Sequence, residues 1–124
     1  MSTYPRVSYG STVHGNDEVE AVLNVLKTST QMGKNVINFE NEIAKIFDKK
    51  YGLMTNSGSS ALYLSMQALN FDTGSEIITP ALTFSTTVGS LVRNNIIPSF
   101  VDVKKNTFCI DEDQIEDKIT NNTK

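Results

Sequence analysis

Asn56-Ser57-Gly58-Ser59-Ser60-Ala61 is a run of small residues between a short apolar segment, Tyr51 to Met54, and an apolar-periodic stretch beginning at Ala61. That placement has the build of an anion cradle. Gly58 permits close backbone approach and Ser59 and Ser60 offer hydroxyls. The free amides of a helix's first turn, at the positive end of its dipole, would face whatever binds there. A phosphate suits such a site, and a serine-rich cap and turn holding nothing suits the same six residues. No Gly-Lys-Ser/Thr follows the glycine, so this is not a Walker loop. A second run, Thr79-Pro80-Ala81-Leu82-Thr83-Phe84-Ser85-Thr86-Thr87, again joins an extended segment to a helical one. In an open parallel sheet it falls at the carboxyl end of a strand, on the rim where ligands collect. Phe84 there is either a face for stacking on a flat heteroaromatic ring or an ordinary core aromatic. Asp102 reads as the cap of the turn at Lys104 to Asn106 rather than as a ligand.

The elements that must position these residues follow from periodicity. Val19, Val22, Leu23 and Leu26 recur at helical spacing after a candidate cap at Asn16 or Asp17, and Ile37, Phe39, Ile43, Ala44, Ile46 and Phe47 mark a second helical face. Tyr51 to Met54 then reads as a strand, Ala61 to Leu69 as a helix, Glu76 to Thr79 as a strand stopped by Pro80, and Thr83 to Arg93 as a helix. Pro98 to Val103 reads as a third strand. Asp111 caps a last helix through Ile115 and Ile119. Alternating strands and helices from Tyr51 onward predict an α/β fold with a mostly parallel sheet flanked by helices. The expected division is an amino-terminal helical segment, 1–50, and the first part of an α/β domain, 51–124. Three short strands would leave an open edge, and Thr120 to Lys124 read either as the approach to a further strand or as a frayed terminus.

Composition narrows the partners. The 124 residues carry a net charge of −3 with acids and bases interspersed, so nothing resembles a nucleic-acid stripe or a polybasic membrane anchor. The first residues lack a signal-peptide pattern and no apolar run approaches the roughly 20 residues that span a bilayer, which makes a cytoplasmic location the default expectation. One cysteine, Cys109, and one histidine, His14, supply no zinc or haem cluster. Lys27, Lys34, Lys45, Lys49 and Lys50 fall on expected helix faces or loop edges and read as charged surface.

The blocks GLMTNSGSSALYLSMQAL, GSEIITPALTFSTTV, IIPSFVDV and TFCIDEDQIEDKIT, preceded by MGKNVINFENEIAKIF, resemble in order and spacing the DegT/DnrJ/EryC1/StrS family of pyridoxal-phosphate (PLP) sugar aminotransferases. The resemblance implies part of a fold-type I large domain that acts as a homodimer when full length. It also implies PLP as cofactor, with Ser59 and Ser60 on its phosphate, Gly58 giving the backbone room and Phe84 stacked on the pyridine ring. The lysine that bonds the cofactor and the carboxylate that pairs with its ring nitrogen are expected beyond Lys124, so no catalytic residue is assigned within these residues.

Three functions remain. The first is transfer of an amino group, commonly from glutamate, to a keto nucleotide-sugar in polysaccharide or lipopolysaccharide synthesis. The second is a sugar 3-dehydrase of the same family, in which histidine replaces the lysine; Asn56 to Ser60 and Phe84 to Val88 resemble those blocks at least as well. The third is a non-catalytic phosphate-binding fragment.

Overall fold

The computed structural model describes residues 4–31 and 33–124, which divide into two compact units, 1–52 and 53–124. The first unit holds α1 (Asn16–Thr28) and α2 (Lys34–Ile46). Gly15, one residue ahead of the expected caps, is the N-cap of α1, and its amide donates to Glu18 Oε2 at 2.6 Å. That bond holds the Glu18 carboxyl below its usual range, because the charged form is the better acceptor. Lys45 pairs with Glu42 at 2.7 Å one turn back along α2. Only Ala44 is buried among the described residues of these helices, and Val22 and Leu26 stay exposed. Gly52 marks the tightest approach: a Cβ there would stand 2.5 Å from the Glu40 carbonyl oxygen of α2.

The second unit runs α3 (Gly58–Leu69), β1 (Glu76–Pro80), α4 (Ser85–Arg93) and β2 (Ile97–Val101), then two single 3₁₀ turns at Glu112–Gln114 and Glu116–Lys118. The strands β1 and β2 pair in parallel, with Glu76 opposite Ile97 and Pro80 opposite Val101. Pro80 belongs to β1 as its last residue, where its missing N–H leaves little of the ladder unmade. The core is small: Leu91, Ile96 and Val101, with Ser75, Thr79 and Ser90 buried beside them. Val101 is 1% exposed. Thr79 Oγ1 is buried with no hydrogen-bond partner among the described residues.

Four expectations need correction. Tyr51 to Met54 is not a strand, and Tyr51 and Leu53 are about four-fifths exposed (78% and 80%). A strand exists only by pairing, and the pairing observed in this sheet is that of β1 with β2, with Thr123 bridging β1 at Glu76 alone. The expected helix from Asp111 to Ile119 is two 3₁₀ turns instead. Asp111 Oδ2 accepts from Gln114 Nε2 at 2.6 Å, Lys104 pairs with Glu112, and Ile119 turns extended before the chain reaches β1, so no α-helical run long enough to sustain itself remains. The fourth helix begins at Ser85 rather than Thr83 because Phe84 is extended, at φ −69° and ψ 140°. The last strand is shifted to Ile97–Val101, and Val103 instead forms an antiparallel bridge with Ile110.

At the other edge of β1 the chain end pairs in parallel with it. The Glu76 amide donates to Asn122 O at 2.9 Å, the Lys124 amide donates to Glu76 O at 3.0 Å, and Thr120 Oγ1 donates to Glu76 Oε2 at 2.6 Å. Of the two alternatives the sequence leaves open for Thr120 to Lys124, the segment is tied down rather than frayed, by a turn at 121–122 and a single bridge from Thr123 to Glu76. Among the described residues no helix is long and apolar enough to cross a membrane.

Candidate functional site

The first turn of α3 is organised by Ser57. As N-cap, its Oγ accepts the Ser60 amide at 3.1 Å and lies 3.1 Å from Ser60 Oγ. The amides of Gly58 and Ser59 have no acceptor within the helix, as at any helix start, and they sit at its positive end. Ser59 is exposed and Ser60 half-buried. A Cβ built on Gly58 meets nothing within 4 Å, so no neighbour in this chain demands a glycine there. The open space above Gly58 is what close approach by an external group requires.

Phe84 is the N-cap of α4 and is 66% exposed, which removes it from the core. The turn behind it is fixed twice: Thr83 Oγ1 donates to Thr87 Oγ1 at 3.0 Å, and the Thr87 amide donates to Phe84 O at 2.9 Å. The two runs singled out in the sequence meet in space. Ser59 and Ser60 line one side of a groove of about 470 Å³, and Ser85 and Thr86 line the other. Tyr63, Gly89, Ser90 and Arg93 complete it; Phe84 itself is not in its lining. Arg93 brings the one charge on the lining, and its guanidinium carbon lies 4.8 Å from the centre of the Tyr63 ring.

Two charged or aromatic lining residues, Tyr63 and Arg93, were not visible as site components from sequence. Ser57, part of the serine-rich run, takes the cap role that run allows and acts through Ser60. Tyr63 and Arg93 join the groove only because α3 packs on α4, which periodicity does not report. Asp102 stays outside this groove: its Oδ1 accepts the Val103 amide at 2.7 Å, a local backbone cap one residue ahead of the expected turn.

The unit is an α/β arrangement with a groove between α3 and α4 that carries hydroxyls from the first turn of each helix. Its family follows from relatives. The profile of the DegT/DnrJ/EryC1/StrS aminotransferase family matches residues 13–124, and the chain belongs to that family. It is 38% identical over 114 residues to the 3-oxo-glucose-6-phosphate:glutamate aminotransferase of Bacillus subtilis, covering 88% of this chain and 26% of that protein. Among solved structures, the E. coli GDP-4-keto-6-deoxy-D-mannose-3-dehydratase with bound hydrated PLP superposes with a TM-score of 0.84 at 35% identity, over 92% of this chain and 31% of that one. NtdA from Bacillus subtilis with bound PMP superposes at 0.80 and 36% identity, over 89% of this chain and 26% of that one. The chain thus spans about a quarter to a third of the length of these relatives. The fold is the expected α/β architecture of fold-type I PLP enzymes, present here in part.

The donor set fits a phosphorylated pyridine cofactor. Amides at a helix start and two serine hydroxyls suit a phosphate, the space over Gly58 admits it, and an exposed phenyl ring suits a flat heterocycle.

Proposed function

We propose that this chain supplies the phosphate grip and the ring-stacking face of a PLP enzyme that transfers an amino group from glutamate to a keto group on a nucleotide-linked sugar, in polysaccharide or lipopolysaccharide synthesis. One observation carries the reading: the first turns of α3 and α4 line a common groove, with Gly58 open above and Phe84 exposed beside it. In this reading the Gly58 and Ser59 amides and the Ser59 and Ser60 hydroxyls hold the phosphate, and Phe84 keeps the ring flat and oriented. Bound PLP would supply an electron sink next to the substrate carbon, and the protein's part is binding and orientation. Among the described residues no lysine or carboxylate lines the groove, and this reading assigns neither the group that bonds the cofactor nor the one that pairs with its ring nitrogen to a residue of this chain. A homodimer in the cytoplasm is the assembly and location proposed for the intact protein, and residues 1–50 are proposed as a helical segment that serves the α/β domain.

A second reading, removal of a sugar hydroxyl, is favoured by a specific likeness: solved 3-dehydratases superpose at TM-scores of 0.84 and 0.87 with 35% and 33% identity. Isotope labelling separates the two. The intact protein is incubated with a keto nucleotide-sugar, PLP and ¹⁵N-glutamate, and the sugar product is weighed. Product carrying ¹⁵N is the expected result. Product that has lost a hydroxyl and carries no ¹⁵N replaces the first reading by the second, and unchanged sugar with every keto nucleotide-sugar tried contradicts both.

A further inference from the structure

We infer that Asn94 is a positioning residue for the phosphate grip, acting as a latch that sets the first turn of α3 against α4. The inference rests on the cofactor reading above. Asn94 closes α4 as its C-cap, and its side-chain amide Nδ2 donates to two carbonyls, Ser90 O of its own helix at 2.8 Å and Tyr63 O of α3 at 3.2 Å. An NH₂ group has two hydrogens, and here both are committed. One of the bonds joins residues 31 apart in sequence.

The same residue of α3 is held a second way, by the Arg93 guanidinium over the Tyr63 ring. Tyr63 lies one turn after Ser59, about 6 Å along the axis, and a helix transmits a constraint over one turn with little loss. Fixing the Tyr63 carbonyl and ring therefore fixes where the Gly58 and Ser59 amides and the two serine hydroxyls stand relative to Ser85 and Phe84. The anchor on the other side is firm, because Ser90 and Leu91 of α4 are buried. Asn94 is not itself in the groove lining and bonds neither Ser59 nor Ser60; it holds the backbone carbonyls of two lining residues, Tyr63 and Ser90, so its effect on a phosphate at Ser59 and Ser60 passes through α3.

Only a donor satisfies this position. In Asn94→Asp the shape is kept while a carboxylate faces two carbonyl oxygens, so the latch is repelled rather than merely absent. The test is PLP binding to the intact protein, read as the dissociation constant and as the circular dichroism induced in the cofactor's absorption band. Ile96→Val, a loss of one buried methyl in the same unit, is the control for a purely structural effect. Asn94→Asp is expected to raise the PLP dissociation constant about tenfold and to weaken the induced signal, while Ile96→Val stays within about twofold of wild type. If Asn94→Asp does not fold, Asn94→Ala removes the donor without adding a charge and is expected to raise the constant by about threefold. Unaltered binding in the variant that folds, or an equal loss in Ile96→Val, overturns the latch. Wild-type protein is titrated first: no PLP binding there removes the cofactor reading and the latch with it, whereas normal wild-type binding with an unaltered Asn94→Asp removes the latch alone.

Discussion

The two units contain comparable lengths of regular structure and differ in what that structure buries. In residues 1–52 two 13-residue helices bury one side chain between them, Ala44. In residues 53–124 two five-residue strands and the helix α4 gather Leu91, Ile96 and Val101 into a core. The helices of the first unit are specified locally, by apolar spacing, a capped start and an i,i+3 ion pair, and their hydrophobic faces are left for something else to cover. The second unit is specified by contacts distant in sequence, and those contacts also assemble the groove. Helix-forming pattern and core-forming pattern are therefore separable in this chain.

The largest test of that contrast is truncation of an apolar side chain in each unit. Val101→Ala is expected to lower the stability of the second unit by about 2 kcal/mol, whereas Val22→Ala in this chain should change stability by less than about 0.5 kcal/mol, both read by denaturant unfolding. Equal losses would erase the distinction. Gly52→Ala sharpens it, because Gly52 is the place in the first unit where backbone meets backbone. The added methyl has to displace the Glu40 carbonyl of α2, at an expected cost of about 1 kcal/mol in the same assay.

The smallest effect is electrostatic. The Glu18 carboxylate, accepting the Gly15 amide, has its pKa depressed in the folded chain. Its contribution to α1 is thus present above the ordinary carboxylate range and is lost as pH falls through the lowered value. Far-ultraviolet circular dichroism should record a small loss of helix between neutral and acid pH, and in Glu18→Gln the part of that change owed to α1 should be reduced.

What the sequence made legible follows the same division. Of the four α-helices among the described residues, three were readable from apolar residues at helical spacing and α4 from its place after the Pro80 stop, and their starts moved by one or a few residues where an extended Phe84 or a capping Gly15 decided them. The strands β1 and β2 were readable as apolar runs because each finds the other. Tyr51 to Met54 has the same local character and enters no strand ladder among the described residues, and local character alone does not make a strand. The segment after Asp111 failed for a related reason: the tie between Lys104 and Glu112 and the pairing of Thr123 with Glu76 shape it from outside its own periodicity. Gly58, Ser59, Ser60 and Phe84 stood out in the sequence because small residues and an aromatic stand at two helix starts. Tyr63, Arg93 and Asn94 did not, since their part arises only when α3 lies against α4.

The central claim is that the start of α3 grips a phosphate. It is tested most directly by comparing PLP with pyridoxal, which lacks the phosphate, on the intact protein and on Ser59→Ala/Ser60→Ala. Wild type should bind PLP far more tightly than pyridoxal, and the double variant should lose at least about tenfold of that preference with pyridoxal binding unchanged. A preference for PLP that survives undiminished in the double variant would contradict the account.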